Sequence, residues 1–315
     1  MAKIVSIGEC MLEMQREADG RYLLTHGGDT FNFAQYLAWL SGEEDKVFYL
    51  TAIGNDSLSE EMLNSWKYAG LQTDLIMHDK ERTSGLYFAN TDAEGNRDYI
   101  FYRSTAAAKE MFSHPKSQEI FKRALEGDVI YASLISLMIL SPSDREKLIA
   151  VFEAANNKGI TTVFDTNFRA SGWISSKEAK EWLEKIAPFT SIALPTNDDC
   201  LHIFDEKEPD AIIERFQALG VKEVVVKCGA DGCQGSSEGN TFKVKPSAPI
   251  EALDTTAAGD SFNAGYLYGK LRGHTPAISA QVGNQIAGEV IQHRGAIIPK
   301  EKVLESLTIA KEKIA

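Results

Sequence analysis

The residue types best suited to chemistry stand together near the end of the chain, between positions 252 and 269. Ala257, Ala258 and Gly259 form a bare backbone with no side chain larger than a methyl group. The apolar spacing from Phe262 onward predicts an amphipathic helix directly after them. The first N–H groups of a helix are unpaired and carry a partial positive charge, so such a turn binds anions readily. The stretch therefore predicts a phosphate-binding helix N-terminus.

Asp260 places a carboxylate where that anion would bind. One interpretation is an ordinary first-turn residue, since acidic side chains are common at helix N-termini. The other is a base that takes the proton from a hydroxyl as that hydroxyl attacks a phosphate. In either case a helix N-terminus should lower the pKa of Asp260 and keep it ionised at neutral pH. Spacing alone leaves both interpretations open.

Two arginines give a second chemical signal. Arg103 follows Tyr102 at the end of a predicted hairpin that also contains Tyr87, and Arg169 follows a predicted buried strand. Arginine binds carboxylates through paired N–H groups of fixed geometry. Two arginines that converge on one pocket suit an acid sugar better than a neutral one.

Alternating strands and helices must position these residues. Strands are predicted at 129–132, 161–165, 192–194 and 223–227, and helices at 143–157, 177–186, 210–219, 259–271 and 277–293. This alternation predicts an α/β fold in which helices cover both faces of a mostly parallel sheet. Ligands bind beyond the carboxyl ends of the strands in such sheets, where residues 165–169 and 227–232 would lie.

A β-hairpin interrupts this alternation. Its strands are predicted at 84–90 and 97–102, around an acidic turn at 92–96, and two further strands are predicted near residues 12–24. Because the chain shows no internal repeat and no proline-rich linker, we interpret these strands as a lid. We expect a single domain over residues 1–315, with lid strands inserted at about 10–27 and 83–104.

Composition excludes several classes of function. Hydrophobic residues make up 43% and charged residues 25% of the 315, as expected for a globular protein. A net charge of −12 argues against a nucleic-acid partner or a membrane partner. No signal peptide or membrane span is evident, so we expect a cytoplasmic protein. Metal-ligand spacing is absent from the four cysteines, which are Cys10, Cys200, Cys228 and Cys233. The sequence also lacks a Walker phosphate loop and a dinucleotide-binding glycine motif.

The stretch Asp-Thr-Thr-Ala-Ala-Gly-Asp-Ser-Phe at 254–262 resembles the C-terminal motif of ribokinase-like (PfkB-type) carbohydrate kinases. The resemblance spans essentially the whole chain and is closest to the bacterial 2-keto-3-deoxygluconate kinases. Further similar stretches lie at 7–11, 27–30, 106–109, 141–148, 220–227 and 294–299. The resemblance implies a three-layer α/β/α core and a small β-sheet lid. It also implies ATP-dependent phosphorylation of 2-keto-3-deoxy-D-gluconate at its 6-hydroxyl, with Asp260 as the base.

The same resemblance implies roles for residues elsewhere in the chain. Gly27, Gly28 and Asn32 would contact sugar hydroxyls, although alone they read as a turn and a helix cap. With Tyr87 and Tyr102 beside the sugar, Arg103 and Arg169 would hold its carboxylate. The residues expected along the nucleotide are Lys227, Gly229, Gly232, Gly259 and Asn284, with a simple hairpin turn as the alternative interpretation of 227–232.

Cation and subunit predictions also come from the resemblance. Asp199 would bind Mg²⁺ through water, although Thr196 stands where the family usually has Asn. Asp254 and Thr256 would bound a monovalent-cation site for K⁺. Lid sheets of this family often pair between subunits, so a homodimer through the lid is expected.

Three alternatives remain. A fructokinase-like or other keto-sugar kinase of the same family differs only in substrate. Gly259-Asp260-Ser261 is also similar to the Gly-Asp-Ser block of some serine hydrolases, but the Asp-x-x-His pair of those enzymes is missing near the C-terminus. A non-catalytic sugar sensor would have no need of Asp260. ATP turnover that depends on a sugar acid separates these possibilities.

Overall fold

A computed structural model of the chain describes residues 1–17, 19–91, 97–246 and 248–314. Its strands, in chain order, are β1 (Lys3–Ile7), β2 (Met11–Arg16), β3 (Tyr22–Gly27), β4 (Lys46–Gly54), β5 (Ile76–Asp79), β6 (Leu86–Thr91), β7 (Arg97–Tyr102), β8 (Val129–Ser133), β9 (Thr161–Asp165), β10 (Ile192–Ala193), β11 (Glu223–Lys227), β12 (Cys233–Ser237) and β13 (Asn240–Val244). Its helices are α1 (Asp29–Ser41), α2 (Ser57–Tyr68), α3 (Ser117–Ala124), α4 (Leu134–Met138), α5 (Pro142–Asn157), α6 (Ser176–Ile186), α7 (Asn197–Phe204), α8 (Pro209–Ala218), α9 (Ala258–Leu271), α10 (Pro276–Val290) and α11 (Lys300–Ile314).

Nine of these strands form the central sheet, in the order β13-β12-β11-β10-β9-β8-β1-β4-β5. The strands from β11 through β5 run parallel, whereas β12 and β13 extend the sheet in antiparallel fashion. The parallel strands are buried runs rich in Val, Ile and aromatic residues, as a sheet covered on both faces requires. The predicted mostly parallel α/β sheet is confirmed.

Successive residues of each strand enter two different cores because side chains alternate between the faces of a sheet. Val5, Ile130 and Val224 pack in one core with helices α3 to α8. Ile4 and Tyr131 belong to the second core, with α1, α2, α9, α10 and α11. The molecule therefore has the predicted three layers.

A second, smaller sheet has the order β3-β2-β6-β7. Its β6–β7 pair is the predicted hairpin, and β2 pairs with β6 in parallel. The predicted acidic turn at 92–96 lies outside the described residues. The first lid segment starts from the core, because β2 begins only four residues after β1 ends. Within the described part of the chain, no helix has the length and apolarity to span a membrane.

Candidate active site

A cleft of about 1110 Å³ separates the lid sheet from the carboxyl ends of the central strands. The lid contributes Met11, Tyr87 and Arg103 to its walls. The loop after β9 contributes Asp165, Asn167 and Arg169, and other lining residues are Gly27, Gly28, Asp29, Asn32, Thr196, Asp199, Lys227 and the run 252–260. The sequence predicted this location from the direction of the parallel strands.

The N-terminus of α9 opens into this cleft. Ala257 caps the helix in the left-handed conformation, with φ of 59°. Three non-glycine residues with positive φ occur in the described ranges, and of these Ala257 is the one that lines the cleft. A Cβ added to Gly259 would meet a single described atom within 4 Å, the Lys227 Nζ at 3.4 Å. Space for an anion therefore lies directly against the backbone, and the strained Ala257 turn holds that backbone open.

Asp260 lies in the first turn of α9 with 7% of its surface exposed, and it also lines the cleft. Its Oδ2 accepts a hydrogen bond of 2.8 Å from the Nδ2 of Asn32, so the N-terminal turns of α1 and α9 meet at this carboxylate. Burial, followed by the charge of Asp29, raises the pKa of Asp260 to about 8. The predicted lowering of this pKa is wrong, because desolvation and neighbouring carboxylates outweigh the helix N-terminus.

The ammonium of Lys227 is fixed beneath this turn. It donates to Asp165 Oδ1 at 2.9 Å and to Asn263 Oδ1 at 3.1 Å. Asn263 in turn donates to Asp165 Oδ2 at 2.8 Å, so the three side chains form a closed network. Lys227 therefore stands next to Gly259, on the side where a phosphoryl group would bind. The sequence signalled Asp165 only by its place at the end of a buried strand, and it gave no signal for Asn263.

The two predicted arginines line the same cleft from opposite sides. Arg103 extends from the end of the lid hairpin and pairs with the buried Glu9, which follows β1. Arg169 is exposed in the wall formed by the loop after β9. Burial raises the pKa of Glu9, and the charge of Arg103 opposes this effect.

Tyr102 is not brought to the cleft. Side chains alternate along β7, and Tyr99 and Phe101 face the cleft together with Arg103. Tyr102 therefore points to the outer face of the lid, where it is 64% exposed and its ring contacts Phe88 edge to face. The structure therefore does not bring Tyr102 to the lining of this cleft, and its role as a substrate contact stays a prediction.

The predicted nucleotide residues separate into two groups. Lys227 and Gly259 line the cleft, whereas Gly229, Gly232 and Asn284 are absent from the described lining. Lys227 pairs with Cys233 across an antiparallel turn, which agrees with the simple-hairpin interpretation of 227–232. Gly232 has φ of 83°, and a Cβ there would lie 2.1 Å from the carbonyl oxygen of Val244, so packing explains this glycine. The amide of Asn284 donates to the same carbonyl at 3.3 Å.

The predicted cation residues lie in the cleft. Asp199 Oδ2 accepts from the Thr166 hydroxyl at 2.9 Å, and Thr196 caps α7 by accepting from the Asp199 N–H at 3.0 Å. The carboxylate of Asp254 accepts from the N–H groups of Thr256 at 2.9 Å and Gly295 at 2.7 Å. The described residues contain no group of three or more His, Cys, Asp or Glu suited to a metal ion.

The hydrolase alternative requires a reactive Ser261. This side chain is fully buried, and its hydroxyl donates to the carbonyl oxygen of Ala258 at 3.0 Å within the first helical turn. His293, the histidine nearest to the C-terminus, lies against Glu289 one turn earlier on the chain. Neither arrangement resembles a nucleophile activated by a base.

A carboxylate beside a bare helix N-terminus, under a lid, is the arrangement expected of an enzyme that transfers a phosphoryl group to a small hydroxylated molecule. A family profile described as pfkB family carbohydrate kinase matches residues 1–303. The chain belongs to the pfkB family of carbohydrate kinases.

Two relatives and one solved structure show how similar the chain is to known proteins. It is 40% identical over 303 residues to a 2-dehydro-3-deoxygluconokinase of Haemophilus influenzae, covering 95% of this chain and 96% of that protein. It is 39% identical over 304 residues to a protein of the same name from Escherichia coli K12, covering 95% and 98%. The fold matches a fructokinase with bound ATP from Xylella fastidiosa at a TM-score of 0.82, with 19% identity and coverage of 98% and 99%.

Proposed function

We propose that this chain is an ATP-dependent kinase that phosphorylates 2-keto-3-deoxy-D-gluconate at its 6-hydroxyl. The products are 2-keto-3-deoxy-6-phosphogluconate and ADP. Relatives about 40% identical over 95% of the chain support the substrate. The observation that carries the proposal is Asp260, which lines the cleft beside the bare backbone of 257–259.

In the reaction, the sugar hydroxyl oxygen bonds to the terminal phosphorus of ATP as the bond from that phosphorus to ADP breaks. The hydroxyl proton passes to Asp260. The backbone N–H groups of Ala257 and Gly259 and the ammonium of Lys227 stabilise charge on the transferring group, whereas the N–H of Ala258 donates to the carbonyl oxygen of Thr255 at 3.2 Å. Because the transition state of phosphoryl transfer is loose, positioning contributes more than the basicity of Asp260.

Arg103 and Arg169 are proposed to bind the carboxylate of the sugar acid. They reach the cleft from the lid and from the core, so an anion between them would also hold the lid closed over the substrate. A closed lid excludes water that would otherwise accept the phosphoryl group. Gly27, Gly28 and Asn32 are proposed to contact the remaining part of the sugar.

The nucleotide and the cations are assigned by their fit to the cleft. Mg²⁺ usually arrives with phosphates and needs only one or two carboxylates, and Asp199 offers one. Bound there, Mg²⁺ would neutralise charge on the phosphates of ATP. Backbone N–H groups orient the carboxylate of Asp254 next to Thr256, where a monovalent cation such as K⁺ is proposed. Gly229, Gly232 and Asn284 are proposed to border the nucleotide only where it extends beyond the described cleft.

The outer face of the lid is proposed to pair two copies of the chain. Four large side chains there are 40–64% exposed, namely Tyr22, Leu24, Ile100 and Tyr102. An apolar patch of this kind on a sheet is typical of an interface, and a homodimer would bury it against its own copy. We place the enzyme in the cytoplasm, where ATP is available.

A coupled assay of ADP release over a panel of sugars tests the proposed function. We expect turnover with 2-keto-3-deoxy-D-gluconate, and little with fructose or ribose at equal concentration. In addition, Arg169→Lys should lower kcat/KM more for the acid sugar than for a neutral ketose. Equal losses for both sugars would contradict the carboxylate role of Arg169, and a preference for fructose would make the chain a fructokinase.

A further inference from the structure

A carboxylate and a phenol form a buried pair on the cleft side of the lid. Glu13 on β2 and Tyr87 on β6 are direct cross-strand neighbours, exposed by only 6% and 8%. The Tyr87 hydroxyl donates to Glu13 Oε2 at 2.8 Å. The hydroxyl of Thr25 on β3 approaches the same oxygen at 3.4 Å.

This pair fixes which way the only proton of the Tyr87 hydroxyl points. A phenol has one O–H, and a hydrogen bond to a carboxylate is among the stronger ones in proteins. With its proton held by Glu13, the phenol oxygen offers only lone pairs in other directions. Burial, followed by the charge of Glu13, raises the pKa of Tyr87, so the phenol keeps this proton.

Tyr87 lies in the part of the cleft where the proposed sugar contacts Gly27 and Gly28 also lie. Tyr87 lines the cleft together with Gly27, Gly28 and Ala296. A Cβ placed on Gly27 would lie 3.1 Å from the Tyr87 hydroxyl oxygen, 3.6 Å from Glu13 Oε2 and 3.8 Å from the Ala296 Cβ. Because Gly27 has no side chain, nothing larger than hydrogen separates its backbone from the phenol.

We propose that Glu13 is a positioning residue for Tyr87. Because Glu13 holds the phenol proton, the Tyr87 oxygen can only accept a hydrogen bond in the cleft. The site therefore selects a substrate that presents a hydroxyl donor to the Tyr87 oxygen. The inference rests on the proposed function and adds a specificity element to the same site. A substrate with a carbonyl, an ether or a methylene facing the Tyr87 oxygen could not donate a hydrogen bond to it. The phenol oxygen would then be buried without a donor in the cleft, which costs binding free energy.

Three variants separate the proton-orienting role from simple packing. Glu13→Met keeps the length of the side chain but removes the acceptor, so the phenol proton can turn into the cleft. We expect kcat/KM to fall about tenfold, mostly through KM, as the loss of one hydrogen bond predicts. Glu13→Gln keeps a carbonyl acceptor for Tyr87 and should stay within about threefold of wild type. Tyr87→Phe preserves the volume and should match Glu13→Met.

The decisive readout is discrimination between sugars. The substrate that wild type phosphorylates best is compared with analogues of it in which one hydroxyl at a time is replaced by a keto group, because a phenol that is free to donate can pair with a keto oxygen and one held by Glu13 cannot. Wild type and Glu13→Gln should discriminate most strongly against one analogue. Glu13→Met and Tyr87→Phe should lose about tenfold of that discrimination, and the double variant should resemble Tyr87→Phe alone.

Additive losses in the double variant, or unchanged discrimination in Tyr87→Phe, would overturn the inference. Unchanged discrimination in Tyr87→Phe overturns the inference even if Glu13→Met folds poorly, because Tyr87→Phe leaves Glu13 in place. A wild type that prefers a neutral sugar refutes the proposed substrate instead, and the discrimination test then proceeds on that sugar.

Discussion

The proposed base, Asp260, lies in surroundings that oppose its ionisation. Burial and the nearby Asp29 raise its pKa to about 8, while Lys227 and the amide of Asn32 act in the opposite direction. A base with a pKa near the working pH combines a usable ionised fraction with a strong tendency to accept a proton. The same opposing charges make the pKa of Asp260 sensitive to single substitutions.

The first prediction concerns Asp260 as the proton acceptor. Asp260→Asn keeps the size of the side chain and an acceptor oxygen for Asn32, but it cannot take the proton of the sugar. We expect kcat to fall by roughly 10²–10⁴ with KM little changed. Steady-state kinetics with the sugar varied measures this effect. Asp74→Asn, at an exposed position away from the cleft lining, serves as the control. Turnover of Asp260→Asn near that of wild type would remove Asp260 from the mechanism.

The second prediction concerns pH. Asp260 must be ionised to accept a proton, so kcat/KM should rise with pH and level off above about 8. Removing the nearby positive charge with Lys227→Met disfavours the carboxylate and should move this acidic limb to higher pH. Removing the like charge with Asp29→Asn should move the limb to lower pH. Profiles of kcat/KM from pH 5 to 10 measure both shifts.

Opposite shifts are the essential part of this result. General damage to the site lowers activity at every pH, but it does not move the limb up in one variant and down in the other. Limbs that coincide with the wild-type limb in both variants would show that another group controls the pH dependence.

At the scale of elements, a strand or helix could be predicted from the sequence where its own residue types and the turns around it identify it. The sequence located β9 and β11 to the residue, because each is a run of apolar and β-branched residues between polar turns. It did not predict α4, because Leu134–Met138 continues the apolar run of β8 without a turn signal. It also missed β12, whose sequence Cys-Gln-Gly-Ser-Ser lacks strand-forming residues and is held by pairing with β11.

Site residues could also be predicted where a single element determines their position. Positions fixed by a single element, such as Ala257 to Asp260 at the N-terminus of α9 or Arg169 after β9, reached the predicted cleft. Tyr102 did not, because the face that a strand residue occupies depends on the register, and the unbroken run of large apolar residues from Tyr99 to Tyr102 leaves that register undefined. The pKa of Asp260 was also beyond prediction, because Asp29 approaches it from a helix more than two hundred residues away in sequence.

The third prediction concerns the first turn of α9. Gly259→Ala adds a methyl group that meets Lys227 Nζ at ordinary van der Waals distance and otherwise enters the cleft. Alanine favours a helix over glycine by about 0.5–1 kcal/mol, so the variant should be as stable as wild type or more stable. The methyl group would occupy the place of the phosphoryl group, and we expect kcat to fall about 10²-fold.

Thermal denaturation and kinetics on the same samples test the third prediction. Gln281→Ala, at an exposed position of α10, should leave both quantities close to wild type. A Gly259→Ala protein that is both stable and fully active would show that the anion does not bind against this backbone.

At the scale of the molecule, the lid has two faces with different chemistry. Its inner face carries Met11, Tyr87 and Ala89 in a small buried cluster above the cleft. Its outer face leaves Tyr22 and Tyr102 exposed on either side of Phe88, with ring centroids 5.3 and 6.0 Å from that of Phe88. A sheet with one apolar face toward solvent is only half covered, and a second copy of the same face could cover it.

The last prediction is therefore that the chain is a dimer of its 34.7 kDa subunit and that the outer lid face holds the dimer together. Tyr102→Asp places a charge in that face, and burying an unpaired charge costs several kcal/mol, so the variant should be monomeric. Tyr68→Asp is the matched control, because Tyr68 is 97% exposed on α2, outside the lid. Sedimentation velocity at micromolar concentrations should find dimers for wild type and Tyr68→Asp, and monomers for Tyr102→Asp. A monomeric wild type, or a dimer that survives Tyr102→Asp, would mean that the lid face does not join the subunits.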